Sequence, residues 1–269
     1  MIDTHAHLYL CKPSSDALVI QARAAGVTAI VNVATDLASS ETVLQQSKQF
    51  SGYVFPTAGI HPCTPFEDDE IPRLRAFIEN NRAAIVAIGE IGLDLYRVTL
   101  PLANQIRRVE AQLALARAYD LPVIIHSRQS DAEMLAVILH YPDVRKVFHC
   151  FSSGPDFLAA VQHENVFFSF TGHVTYDNPH VVAAMQQMRV SQIMLETDCP
   201  YLTPKSRRGQ ENHPGHIPLI AEAVAQHLGK PVSEIQAETT ATARQFFRLA
   251  LPQNAPGLSD TFCGSASVL

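Results

Sequence analysis

The sequence predicts a closed (β/α)8 barrel of the TIM type with an added C-terminal helix. Eight short β-rich runs are each followed by a segment of helical character, the pattern of βαβ units around a parallel sheet. A length of 269 residues suits one such barrel as a single core, and 47% hydrophobic residues can fill it. Imidazoles and carboxylates also recur at the C-terminal ends of the predicted strands, where barrels of this kind place reactive groups.

The runs are IDTHAHL from Ile2, TAIVNVA from Thr28, YVFPTAGI from Tyr53, AIVAIGEIGL from Ala84, LPVIIHS from Leu121, KVFHCF from Lys146, VFFSFTG from Val166 and IMLETDCP from Ile193. Helices are predicted at Ser14–Ala25, Ala38–Gln49, Pro72–Asn81, Ala103–Asp120, Asp131–His140, Gly154–Gln162, Pro179–Met188 and Pro218–Leu228. The fourth is the clearest, because Ile106, Val109, Leu113 and Ala116 recur at intervals of three and four and form one apolar face. A further helix is predicted at Ser233–Leu249. Residues 1–252 thus read as one domain, and 253–269, polar, rich in small residues and aperiodic, as a flexible tail.

A formal net charge of −6 argues against a protein that coats nucleic acid through a broad basic face, while leaving room for a local basic rim. No basic segment precedes an apolar stretch at the N-terminus, and no apolar run approaches membrane-spanning length, so a cytoplasmic protein without membrane association is expected. Five scattered cysteines without C-x-x-C spacing read as reduced thiols.

In DTHAHL, His5 and His7 are two residues apart on a strand, so both imidazoles project to one side and can converge on one ion. Alone they could be ordinary histidines near a chain end. Their weight comes from the other strand ends, which carry Glu90 on the fourth, His126 on the fifth, His149 on the sixth and Asp198 on the eighth. Individually these could be a helix cap, hydrogen-bonded core histidines and a turn residue. Together they exceed the needs of one tetrahedral ion and suit a pair of divalent cations sharing a water. Glu90 lies between the two groups and reads as the anionic bridge, with His5, His7 and Asp198 on one ion and His126 and His149 on the other. Such a pair implies hydrolysis, with Glu90 and Asp198 as the catalytic carboxylates and Asp198 orienting or deprotonating the water. No Ser-His-Asp elbow, P-loop or dinucleotide fingerprint competes.

DTHAHL, GIHP from Gly59, GEIGLD from Gly89, QIRRVEAQLALA, LPVIIHSR, HCFSSG from His149 and LETDCPYL followed by RGQENHP resemble, in order, the TatD-type metal-dependent deoxyribonucleases of the amidohydrolase-like barrel superfamily. The resemblance covers most of residues 1–249. It implies metal-dependent hydrolysis of phosphodiesters in DNA, often from an end, on a single-stranded or end-bound substrate. It also implies His5, His7, Glu90, His126, His149 and Asp198 as metal ligands. Two departures stand out: Ser153 adds a residue before Gly154, and Thr242 replaces a common asparagine.

Glu196 shares the strand face of Asp198 by alternation and is expected to accept a hydrogen bond from a metal-bound histidine or to act as a further ligand. Asp3, on the same face as His5, is expected to orient it. His61 could face a phosphate or merely sit in a turn before Pro62. Arg128 could bind phosphate through its planar fork or form a surface ion pair. Lys205, Arg207 and Arg208 form a basic loop that could grip a nucleic-acid backbone, and Tyr201 could stack on a terminal base or pack beneath that loop. His173 ends the seventh strand as an uncertain extra site residue. Cys150 and Cys199 adjoin ligands but alternate to the opposite face. The alternatives to a deoxyribonuclease are a hydrolase of small esters, lactones or amides, and a metal-stabilised binding protein without catalysis. Composition leaves magnesium, manganese and zinc all open, and no obligate protein partner is inferred.

Overall fold

The computed structural model describes residues 1–163 and 165–250; the tail expected from residue 253 lies outside the described residues. The parallel strands β1 (Ile2–Ala6), β2 (Ala29–Asn32), β3 (Val54–Ala58), β4 (Ala87–Asp94), β5 (Val123–Arg128), β6 (Lys146–Phe148), β7 (Val166–Phe170) and β8 (Ile193–Leu195) pair in chain order. Past the end of β8 the barrel closes onto β1, where Asp198 N–H donates to the His5 carbonyl at 2.8 Å and His7 N–H to the Cys199 carbonyl at 2.9 Å.

The connecting helices are α1 (Ser15–Ala24), α2 (Leu37–Gln49), α3 (Glu70–Asn81), α4 (Leu102–Tyr119), α5 (Asp131–Ile138), α6 (Pro155–Val161), α7 (Pro179–Met185) and α8 (Ile217–Leu228), followed by α9 (Val232–Phe247). Their starts follow the chemistry of the preceding residue. Ser14 caps α1, and Asp36 and Ser39 cap α2 reciprocally, which satisfies amides otherwise left open at a helix N-terminus.

One face of the strands, including Ile30, Ile88, Val123 and Ile193, packs with Leu74, Val109 and Leu113 of the helices. The alternate residues, such as Val31, Ile124, Val147 and Met194, join Phe246 and Phe247 of α9 in a separate apolar cluster. The second set faces the barrel interior by strand alternation, so α9 plugs the lower end and leaves the upper end for polar groups.

The long β4 strand carries Glu90, Gly92 and Asp94 on one face. Its ladder to β5 shifts register between Ile88 and Ile91. Gly92 has φ +147°, and a Cβ there would lie 1.9 Å from the His126 carbonyl oxygen, so only glycine lets β4 and β5 run this close beside the site.

Candidate metal centre

Four donor atoms converge at the top of β1. His5 Nε2 and His7 Nε2 are 3.2 Å apart, Glu90 Oε2 lies 3.5 and 3.8 Å from them, and Asp198 Oδ1 lies 3.7 and 3.3 Å from them. Bonds of 2.0–2.2 Å to a tetrahedral cation would set such donors roughly 3.3–3.6 Å apart. The second group gathers on the other oxygen of the same carboxylate: Glu90 Oε1 is 2.7 Å from His126 Nδ1 and 2.8 Å from His149 Nε2. Glu90 therefore stands between two sets of histidines with one oxygen facing each.

The far side of each ring tests whether it can ligate, because a neutral imidazole must carry its proton on the other nitrogen. His7 Nδ1 is 2.8 Å from the Val33 carbonyl, which only accepts, so its Nε2 keeps a lone pair for the site. His126 Nε2 is 3.1 Å from Asp94 Oδ2, which leaves Nδ1 free in the same way. His149 Nδ1 is 3.4 Å from Glu196 Oε1. That contact is an ion-pair distance without hydrogen-bond geometry, and among the described ligand rings His5 Nδ1 and His149 Nδ1 are both buried without a hydrogen-bond partner.

Charge in the cluster is balanced within it. Burial disfavours an ionised Glu90, yet His149, His61 and His126 together hold its carboxyl well below the ordinary range. Burial likewise opposes charge on His7, His126 and His149, but their carboxylate neighbours outweigh it and raise all three above the ordinary imidazole value. Asp198 is lowered because His7 and the other imidazoles overcome its burial. His5, fully buried and stacked on His149 with centroids 4.1 Å apart, is pushed down. The carboxylates thus favour positive charge on the surrounding imidazoles, and a metal would bring the same charge.

The family model described as TatD related DNase matches residues 2–248. The chain belongs to the TatD-related DNase family. An uncharacterised metal-dependent hydrolase of Bacillus subtilis is 28% identical over 258 residues, 93% of this chain and 99% of that protein. A protein of Erwinia tasmaniensis named a 3'-5' ssDNA/RNA exonuclease is 30% identical over 244 residues, 87% of this chain and 93% of its own. Among solved structures, the TatD homologue YjjV of Escherichia coli superposes with a TM-score of 0.86 at 27% identity, covering 92% of this chain and 98% of that one. As a TatD-family member the chain is a metal-dependent hydrolase.

The other expected site residues of this TatD-family barrel take several positions. Glu196 is buried, with its carboxylate accepting from Cys150 N–H and Ser169 Oγ–H, both at 2.6 Å, behind His149. Strand alternation does not place it there: β8 ends at Leu195, and Asp198 sits in a turn with φ +54°. The same correction applies to Cys150, which follows the end of β6 with φ +46° and turns its thiol toward Thr171. Asp3 does not orient the His5 ring. Its carboxylate accepts from Thr197 N–H and Oγ–H at 2.9 and 2.6 Å and so anchors the turn carrying Asp198, while burial pushes its pKa up to about 8.

His61 lies at the edge of the cluster, its Nε2 3.6 Å from Glu90 Oε1. Its Nδ1 accepts from the Cys63 backbone N–H at 3.0 Å, and a backbone amide can only donate. The neutral ring, with its pKa pushed by burial down to about 3, thus carries its proton on Nε2 and offers a donor to the site instead of a lone pair. Arg128 is exposed, stacks on the Tyr96 ring at 4.1 Å and has no carboxylate partner among the described residues. Tyr201 is 53% exposed, so it is not packed beneath the basic loop. Lys205 lies 3.8 Å from Asp177, whereas Arg207 and Arg208 are exposed without ion pairs among the described residues. The added Ser153 donates to Asp131 at 2.8 Å and leaves His149 against Glu90, and Thr242 donates to the Glu238 carbonyl within α9.

Two residues escaped the sequence reading. Asp94, the last letter of GEIGLD, is the acceptor behind His126; its period-two relation to Glu90 was the available signal. Asn212 is buried and donates through its amide to the Thr197 and Tyr201 carbonyls at 2.8 and 2.6 Å, tying down the turn that bears Asp198.

Proposed function

We propose that this protein is a phosphodiesterase that removes nucleotides from an end of single-stranded DNA, using two divalent cations, magnesium, manganese or zinc, bridged by Glu90. The division of Glu90 carries the reading: Oε2 faces His5 and His7 while Oε1 faces His126 and His149. A carboxylate shared in this way partly offsets the repulsion between paired cations. The exonuclease name of the Erwinia relative supports a nucleic-acid substrate attacked from an end.

When bound, such cations supply a water of lowered pKa and polarise a phosphoryl oxygen. The chain's own groups then divide the work. Asp198, ionised and beside both first-strand histidines, accepts the proton of the attacking water. His61 donates its Nε2–H to a non-bridging phosphate oxygen as charge develops there. Arg128, held over the Tyr96 ring, presents a planar pair of donors to a neighbouring phosphate, and Arg208 in the basic loop attracts the backbone without reading sequence. Asp94 holds the His126 ring in the ligating tautomer, and the Glu196 carboxylate, 3.4 Å from His149 Nδ1, favours a proton on that nitrogen.

The decisive experiment follows degradation of end-labelled single-stranded and duplex DNA by chelator-stripped protein titrated with each metal, alongside His126→Ala and Asp198→Asn. Metal-restored cleavage that shortens the strand stepwise from one end, and is lost in both variants, is expected. A wild-type protein that binds two ions and cuts no DNA with any metal refutes the assignment.

A further inference from the structure

We propose that the cavity between the end of β6 and α7, directly beside the metal centre, seats the unpaired base of the nucleotide being released. The assignment rests on the nuclease reading above and adds a recognition site to it. The cavity has a volume of about 240 Å³. Phe151 and Phe170 form its apolar floor, Val182 lines its α7 wall, and His173, Tyr176 and Asn178 stand at its exposed mouth. Its space accommodates a flat ring system.

Position makes it part of the reaction site. Cys150 lines the cavity and directly follows His149, and its amide is bonded to Glu196. A strand whose terminal phosphodiester lies at Glu90 would therefore have its base within reach of this hollow.

The lining has the chemistry of a base site. Aromatic edges and aliphatic side chains accept the faces of any base, which gives binding without sequence preference. Asn178 Oδ1 already accepts from His180 N–H at 3.0 Å, while its amide NH2 has no partner among the described residues and can donate to a ring nitrogen or carbonyl at the base edge. The loop carrying Lys205, Arg207 and Arg208 borders the mouth, with Lys205 Nζ 3.8 Å from Asp177 and the two arginines exposed without ion pairs among the described residues. Lys205 N–H donates to Thr175 Oγ1 at 2.8 Å, and the Tyr176 phenol Oη–H donates to the Thr203 carbonyl at 3.4 Å, so the basic loop rests on the turn bearing His173 and Tyr176. An apolar slot beside cationic side chains matches a nucleotide, with a ring at one end and phosphate at the other. A paired terminus must open before its base can enter, which favours single strands.

The test compares kcat/KM for oligonucleotides whose terminal nucleotide carries thymine or is abasic, placed at the 3′ and, separately, the 5′ end. Stacking predicts a base advantage of about five- to 150-fold at the cleaved end in wild type. Val182→Phe, which fills the hollow, should bring that ratio close to one. Tyr176→Ala, at an exposed position that cannot collapse the core, should lower it severalfold. No base advantage in wild type, or an unchanged ratio in both variants, overturns the proposal. A binding arm separates this from the nuclease reading, using thymidine 5′-monophosphate against deoxyribose 5-phosphate. If no DNA is cut but the nucleotide binds more tightly than the sugar phosphate, and Val182→Phe removes the difference, the base site stands and the nuclease reading falls. Equal binding of the two sinks the base site even if DNA is cut.

Discussion

Replacing Asp94 by Asn should weaken metal binding about 10- to 100-fold, equivalent to about 1.4–2.7 kcal/mol, without disrupting the fold. Asp94 Oδ1 accepts from the N–H groups of Tyr96 and Arg97 at 2.9 and 2.8 Å, and an asparagine carbonyl can keep both bonds. The change falls on Oδ2, 3.1 Å from His126 Nε2. An amide NH2 in its place is a donor, so His126 must offer Nε2 as acceptor and carry its proton on Nδ1. That proton then points at Glu90 Oε1, 2.7 Å away, on the atom whose lone pair a cation needs. Competition for zinc or manganese against a fluorescent chelator measures the loss, and excess metal should recover part of the activity. An affinity within about threefold of wild type, below the range expected for losing such a partner, would refute Nδ1 as the ligating atom.

Metal affinity should rise with pH. His7, His126 and His149 are raised above the ordinary imidazole value by their carboxylate neighbours, so protons compete with a cation for these rings. Calorimetry in two buffers of different ionisation enthalpy should detect proton release at pH 7, and its absence would count against this ligand set. His61→Ala should leave metal affinity nearly unchanged while lowering turnover at saturating metal by about 100-fold; loss of metal instead would make His61 a ligand. Gly92→Ala should cost more than about 4 kcal/mol, seen as insolubility or a large fall in denaturation midpoint, because its Cβ has no room beside His126. Asn212→Ala leaves two carbonyls without their donor and should lower stability by about 2–4 kcal/mol, with turnover falling as the Asp198 turn loosens.

The barrel was legible because its signals are local. Helical spacing in α4 and short β-rich runs are properties of neighbouring residues, and boundaries such as Asp131 for α5 and Pro179 for α7 fall where the sequence puts them. The residue types at the strand ends were legible for the same reason. Alternation failed where the backbone leaves the strand, at Cys150 and from Glu196 to Asp198, since left-handed residues reset the direction of each side chain.

By itself, then, the sequence determined the order of strands and helices and the set of imidazoles and carboxylates at the barrel mouth, because periodicity and residue chemistry reside in the chain. Tertiary structure alone decided which Glu90 oxygen meets which histidines, that Asp94 rather than a nearer residue orients His126, that His61 presents a proton and not a lone pair, and that a cavity opens beside His149. Each of these depends on the stagger between strands far apart in sequence and on the direction of a single ring or carboxylate, which close packing fixes and local pattern does not record.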